Sequence, residues 1–230
     1  RWREWDPNTL VVVRAGDYEN WQRSGLWKSW DSQEVLVSEG DYIGGSKVGK
    51  WTWYKDGEDK GWEENYNNGV LHGKFNNLSP YAEIRGVGSF SEGIKTGEWE
   101  EYYSNANGSL ERSQTGSYQF GKKVGVWSLY AKNGRRIAEG SYEDDIKVGE
   151  WTEGTDIDFA GRFFGKGTYS NNEKNGSWSY VAPKQNPTVE GFFTNGEPSG
   201  EWKVVYNKKT YKGSLEELKK QVPKLNEFSF

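Results

Sequence analysis

One pattern recurs eight times along this chain: a glycine, an aromatic two residues later, a second glycine nine later and a large aromatic eleven later. The units open at Gly16, Gly40, Glu64, Gly88, Gly116, Gly140, Gly167 and Gly191. The early aromatic is Tyr18, Tyr42, Tyr66, Phe90, Tyr118, Tyr142, Tyr169 and Phe193, and the second glycine is present in every unit, from Gly25 to Gly200. The late aromatic is Trp27, Trp51, Phe75, Trp99, Trp127, Trp151, Trp178 and Trp202, at intervals of 24, 24, 24, 28, 24, 27 and 24 residues. A fixed period of this length means one supersecondary unit stacked on copies of itself, since a single unit cannot bury its apolar face alone.

The unit reads as a β-hairpin. Five residues after the opening position stand Gly45, Gly69, Gly93, Gly121, Asp145, Asn172 and Gly196 in units two to eight. These residue types tolerate positive φ, as a tight hairpin turn requires. Trp21 takes that place in unit one, so the first turn is expected to be reshaped. The glycine two before each Trp is expected to let the indole lie across neighbouring backbone. Lys47, Lys95, Lys123, Lys147 and Lys174 share a position in or after the turn and read as solvated charges that protect an edge. Each strand is expected to run about five to seven residues. Trp30, Tyr54, Tyr102 and Tyr130 sit three after a Trp, an odd offset that puts them on the opposite face unless a bulge re-aims them. They are the candidate interaction aromatics.

Composition supports this reading. Mean hydropathy is -0.99 and 33% of residues are apolar, yet 16% are aromatic, with 13 Trp and 14 Tyr. A disordered chain of such polarity would be poor in aromatics. A ladder of rings, each burying roughly 150–250 Å², explains how so few aliphatic residues suffice. The longer intervals fall where Ser104–Ser113 and Thr155–Gly165 add loop residues. Residues 1–15, with Trp2 and Trp5, read as a cap or preceding strand; 16–206 hold the eight hairpins; 207–230 form a closing strand and helix. In that last segment Ser214 and Glu217 have capping-box spacing, and Leu215, Leu218 and Val222 repeat helically before Pro223. The helix is expected to cover the open edge of the last hairpin. The expected fold is therefore all-β: an elongated single-sheet hairpin array with a short C-terminal capping helix.

The unit G-x-Y-x-x-G-x-K-x-G-x-W-x-x-Y, best seen over Gly116–Tyr130 and followed closely by Gly40–Tyr54 and Gly88–Tyr102, resembles the MORN-repeat superfamily, in the variant form of bacterial YwqK-like proteins. The resemblance spans about residues 16–206. It implies a hairpin array used for protein–protein contact, sometimes for membrane association, and in some bacterial members for toxin neutralisation. The G-x-W form departs from the more usual G-x-G hairpin, which puts lipid binding in doubt.

Chemistry is sparse. Net charge is -4 with interspersed signs, and Lys122-Lys123, Arg135-Arg136 and Lys208-Lys209 are isolated pairs, so the basic stripe of a nucleic-acid binder is missing. The absence of Cys removes disulfides and thiol nucleophiles. There is no Met, even at position 1, which reads either as loss of an N-terminal segment, such as the signal peptide of an exported protein, or as an excised domain. Sequons stand at Asn77, Asn107 and Asn175. No stretch approaches the ~20 apolar residues of a membrane span. The single His72 precedes Gly73, where MORN repeats commonly carry His, and reads as a relic of the repeat. Glu63-Glu64, Glu100-Glu101 and Glu143-Asp144-Asp145 are neighbours in sequence whose side chains do not converge on a strand; only Asp156 and Asp158, in the second insertion, could supply a carboxylate pair. The expected function is a non-catalytic scaffold without cofactor or metal, binding another protein or itself. The alternatives are a carbohydrate or cell-wall ligand module using flat rings, and a toxin-neutralising immunity protein. Buried Trp rings would favour the scaffold; open clefts between rings would favour the ligand module.

Overall fold

The computed structural model describes residues 2–55, 57, 60–79, 83–104, 108–154, 164–182 and 187–227. They form two compact units, residues 1–110 and 111–230, divided where the first insertion lengthens the repeat. Each unit is an all-β array of antiparallel hairpins.

In the first unit, the edge strand Trp2–Trp5 pairs with Val12–Glu19. Pairing then runs through Gln22–Trp30, Leu36–Ile43, Ser46–Tyr54 and Lys60–Asn67. The third hairpin returns as Val70–Leu71 and Gly73–Asn77, and the fourth is Gly86–Ser91 with Ile94–Ser104. In the second unit the hairpins are Leu110–Gln119 with Lys122–Tyr130, Arg136–Glu143 with Ile146–Gly154, Phe164–Ser170 with Glu173–Val181, and Thr188–Thr194 with Glu197–Tyr206. The strand Lys209–Gly213 pairs on beside Glu197–Tyr206. Most strands run seven to eleven residues, longer than the sequence suggested. The ladder continues past the second glycine instead of stopping there.

All eight turns have both central residues at positive φ, the geometry whose twist matches the flanking strands. The first is no exception: Asn20 (φ 50°) and Trp21 (φ 65°) form the same turn as Gly44 (φ 55°) and Gly45 (φ 80°). The expectation of a reshaped first turn is thus corrected. Trp21 accepts a conformation that costs a residue with a Cβ roughly 1–2 kcal/mol. Neighbouring tips are tied together, since the second turn residue donates its N–H to the preceding hairpin: Gly45 to the Arg23 carbonyl (3.0 Å), Gly69 to Lys47 (2.8 Å) and Gly196 to Lys174 (2.9 Å).

The role expected of the second glycine belongs to the opening one. The indole lies across the opening glycine: a Cβ on Gly16, Gly40, Gly116, Gly140 or Gly191 would stand 2.1–2.3 Å from a ring carbon of its Trp. The glycine two before the Trp has open space around it, as at Gly25, Gly49, Gly125 and Gly149. What it supplies is φ between +62° and +67°, at the point where the hairpin register shifts. A bulge there aims the Trp inward. The shift also frees a carbonyl one residue after the opening glycine, and the indole N–H donates to it: Trp27 to Asp17, Trp51 to Asp41, Trp127 to Ser117, Trp151 to Ser141 and Trp178 to Thr168, at 3.0–3.2 Å. In the third repeat both partners change together. Glu63 pairs with Asn76, which sets Glu64 opposite the smaller Phe75, and Glu64 accepts hydrogen bonds from Tyr66 (2.6 Å) and Asn77 (3.2 Å).

Early and late aromatics alternate edge to face. Trp2, Tyr18, Trp27, Tyr42 and Trp51 form one run with centroids 5.1–6.0 Å apart. Tyr118, Trp127, Tyr142, Trp151, Tyr169, Trp178, Phe193 and Trp202 form another at 5.0–6.3 Å. Phe75, Phe90 and Trp99 make a third. Every late aromatic is at most 5% exposed.

The C-terminal helix, α1 (Leu215–Gln221), starts on the expected capping box between Ser214 and Glu217. It contacts both the terminal strand Lys209–Gly213 and its neighbour Glu197–Tyr206. Leu215, Leu218, Val222 and Leu225 pack with Val189, Phe193, Trp202 and Val204, so the helix covers the aromatic face where the ladder ends.

Candidate interaction surfaces

The ladder face is a closed structure. Over six of the late Trp rings lies a cation from the turn-proximal position: Arg23 over Trp27, Lys47 over Trp51, Lys95 over Trp99, Lys123 over Trp127, Lys147 over Trp151 and Lys174 over Trp178, all 4.3–4.6 Å from the ring centroid, whereas the unit of Trp202 has Pro198 at that position. These lysines are therefore not solvated edge charges. Their stems shield the rings and their charges sit on the ring faces. Carboxylates anchor several: Lys147 donates to Glu153 (3.1 Å), Lys174 lies 3.8 Å from the same group, and Lys95 pairs with Glu101. Burial lowers the Lys47 and Lys174 pKa values, as expected for charge brought against rings.

The tyrosines of this lattice have a pH consequence. Burial raises Tyr66, Tyr169 and Tyr180, with Glu64 or Glu153 adding to it, and the hydrogen bond to Glu39 pushes Tyr54 up to about 12. Each folded value lies above the unfolded value of 10.0, so the contribution is complete below pH 10 and is lost as pH rises towards the folded values. The depressed lysines act oppositely and add stability as pH climbs to 10.5. Melting temperature is expected to be level or rising to about pH 10 and to fall steeply above it. Tyr169→Phe should flatten that fall; an unchanged slope in this variant would exclude the buried hydroxyls as its cause.

The four candidate interaction aromatics lie off the ladder and half-buried. Tyr54 donates to Glu39 (2.6 Å), which also pairs with Lys28 (2.7 Å). Lys28 and Glu39 are directly opposed beside the Trp27–Gly40 pair, so Tyr54 is on the face away from the indoles, as the odd offset implies. Tyr102 donates to Glu100 (2.7 Å), and the Arg112 guanidinium stands 5.6 Å from the Tyr130 ring. Trp30 lines a shallow depression of about 400 Å³ with Arg3, Val12, Ala15 and Glu34. None of the four projects freely.

That second face is otherwise a lattice of cross-strand ion pairs: Lys50–Glu63 (3.2 Å), Lys166–Glu150 (3.2 Å) and Lys203–Glu190 (3.1 Å). In the second unit these groups, with Thr168, Ser179 and the exposed Phe192, line a broad depression of about 730 Å³.

The freely exposed aromatics are ones that sequence reasoning assigned elsewhere or left out. Trp21 is 92% and Phe120 83% exposed, both in positive-φ turn positions, and Trp2 and Trp5 stand out on the N-terminal strand. The signal for Trp21 was in the sequence as a bulky residue in a turn slot. Phe120, beside Gly121 in the same tight turn, gave an equivalent one.

His72 lies at the tip of hairpin three, its Nδ1 3.1 Å from Glu92 Oε1 and both side chains exposed. Among the described residues no cluster of three metal-ligating side chains forms. Asp156 and Asp158 lie outside the described residues, as does Asn107. Asn77 is buried, donating to Glu64 and accepting from the Ser79 N–H (3.1 Å), so the folded protein withholds that sequon. No helix among the described residues is long and apolar enough to cross a membrane. No protein-family model and no curated protein matches the chain.

Proposed function

We propose that this chain is a non-catalytic scaffold of MORN-like hairpins that presents its turn tips to another protein. The observation that carries this reading is the placement of Trp21 and Phe120. The fold does not use these rings, yet it holds them at exposed turn positions where Gly or Asn would cost less. Backbone strain retained without a packing return points to use, and Trp is among the residues that dominate interface energetics. Burial of the repeat aromatics further supports a structural ladder over a ligand-binding one. The depression beneath Phe192 favours a second reading, in which a sugar face packs on that ring between ion pairs and hydroxyls.

The test is cross-linked recovery of partners from the native source with the wild-type chain and with Trp21→Gly and Phe120→Asn. The expected result is a specific protein lost in the variants although their stability does not fall. Trp21→Gly is in fact expected to stabilise the chain by about 1 kcal/mol, by removing the left-handed penalty, which thermal melting will report. Glycan-array binding with no protein partner would favour the second reading.

A further inference from the structure

On the face away from the indoles, the residue after the opening position is Asp, Asn, Ser or Thr in the first seven repeats, from Asp17 to Thr168, and Phe192 in the eighth. The two residues that flank the late aromatic on that face are both serines only at Ser177 and Ser179; in every other repeat at least one is charged or a larger aliphatic. Register sets Ser177 opposite Phe192, and Ser179 between Lys166 and Glu190. Short side chains on Glu173–Val181 thus stand between longer ones on Phe164–Ser170 and Thr188–Thr194, which makes the depression of about 730 Å³. Phe192 has serines as cross-strand neighbours on both sides, Ser177 and Ser199, and its ring is left 54% exposed.

The rim carries both signs of charge in closed pairs: Lys166 with Glu150 (3.2 Å), Lys203 with Glu190 (3.1 Å) and Lys212 with Glu201 (3.4 Å). Their sum is zero, so a charged ligand gains no net attraction here. Exposed pairs of this kind are held weakly, and a hydroxyl can enter one by donating to the carboxylate and accepting from the ammonium. The ligand that answers these features has a flat apolar face for the ring, a border of hydroxyls for the pairs, and no charge. A pyranose has all three. A peptide answers them less well, because the strands beneath are paired on both sides and offer its backbone no edge.

We infer that the depression binds a neutral oligosaccharide laid across the strands, with one ring packed on Phe192 and its hydroxyls among the ion pairs. This rests on the sugar reading of the depression and fixes the ligand's charge, length and position. The lining runs from Glu150 on Ile146–Gly154 to Lys203 on Glu197–Tyr206. Those strands are the outer two of five paired in succession, a span of roughly 19 Å at the usual strand spacing. The site therefore holds several linked rings. It is separate from the turn tips, so one chain can carry both contacts.

The probes are cellohexaose, maltohexaose and chitohexaose, with hexagalacturonate as a charged counterpart, each titrated calorimetrically into the intact chain. At least one neutral hexasaccharide is expected to bind saturably, and at least tenfold more tightly than its monosaccharide. Phe192→Ala and Ser177→Lys are each expected to weaken that binding at least tenfold without lowering the melting temperature; the second fills the depression with the side chain that Lys50 carries at the same place in its repeat. Trp21→Gly is expected to bind as the wild type does. Binding that survives both substitutions, or that Trp21→Gly removes, would overturn the proposal. Preferential binding of hexagalacturonate, weakened by Phe192→Ala, would overturn the neutral ligand while the sugar reading stands. If none of the four binds, both fail and the tip scaffold is untouched.

Discussion

Gly140→Ala is expected to destabilise the chain by about 3–5 kcal/mol, as much as removing Trp151 itself. The added methyl would stand 2.1 Å from Cδ2 of the Trp151 indole, with two further ring carbons at 2.3 Å. The backbone of a central strand cannot yield by that distance, because Gly140 is paired to Trp151 on one side and Trp127 on the other. The ring must leave, taking with it the bond to the Ser141 carbonyl and the edge contact to Tyr142. Gly149→Ala is the control. A Cβ there meets nothing within 4 Å, so the cost is that of φ +65° alone, about 1–2 kcal/mol. Urea unfolding midpoints separate the two; equal costs would contradict this division of labour. Trp151→Phe is expected to recover part of the loss in a Gly140→Ala background, showing as non-additivity in the double variant. The third repeat already carries that solution, with Phe75 facing Glu64.

Trp127→Ala is the second large effect, again about 3–5 kcal/mol. This ring is 0% exposed and is held on every side: Tyr118 at 5.0 Å, Tyr142 at 6.3 Å, Lys123 at 4.6 Å, and the Ser117 carbonyl at 3.2 Å from its N–H. Its removal leaves Lys123 over a void and disconnects two neighbouring tyrosines. Because stability in a repeat array is a sum of nearest-neighbour terms, the damage should be local. Hydrogen exchange is expected to lose protection first in residues 110–130 and 136–154. Uniform loss throughout 111–230 would instead indicate one cooperative block. Trp127→Phe should cost less than half as much, since most of the ring burial remains and the indole hydrogen bond is lost.

The two positions chosen for these experiments show what was legible in advance. That Gly140 and Trp151 belong to one unit, eleven residues apart, follows from periodicity alone. That they touch requires the bulge at Gly149, whose shift brings the indole back over the opening glycine instead of over the nearer one. A bulge adds no residue type to the pattern beyond a glycine, and a glycine can mean space or dihedral freedom equally well. The same ambiguity hid the lysines. Lys147 is polar and close to a turn, which reads as solvent exposure, whereas in the fold its Nζ lies over the Trp151 ring, 4.3 Å from the centroid. Trp21 was misread for the opposite reason. Its residue type argued against a tight turn, but pairing on both sides of Asn20-Trp21 imposed one.

The candidate interaction residues divide similarly. An odd offset from the ladder left open whether Tyr54 is on the other face or re-aimed by a bulge, and its exposure depended on Glu39, a residue reached only across strands. The exposed aromatics are those the repeat does not use, and subtraction of the pattern was the available signal for them.

By itself, the sequence determined the hairpin unit, its count, the places of its turns and the identity of the ladder, because these depend on short-range period and turn chemistry. Only the tertiary structure decided which glycine receives each indole, where the cations lie, and that α1 packs onto the aromatic face. Each of those depends on a register between strands, and a register is a relation between segments that no single segment encodes.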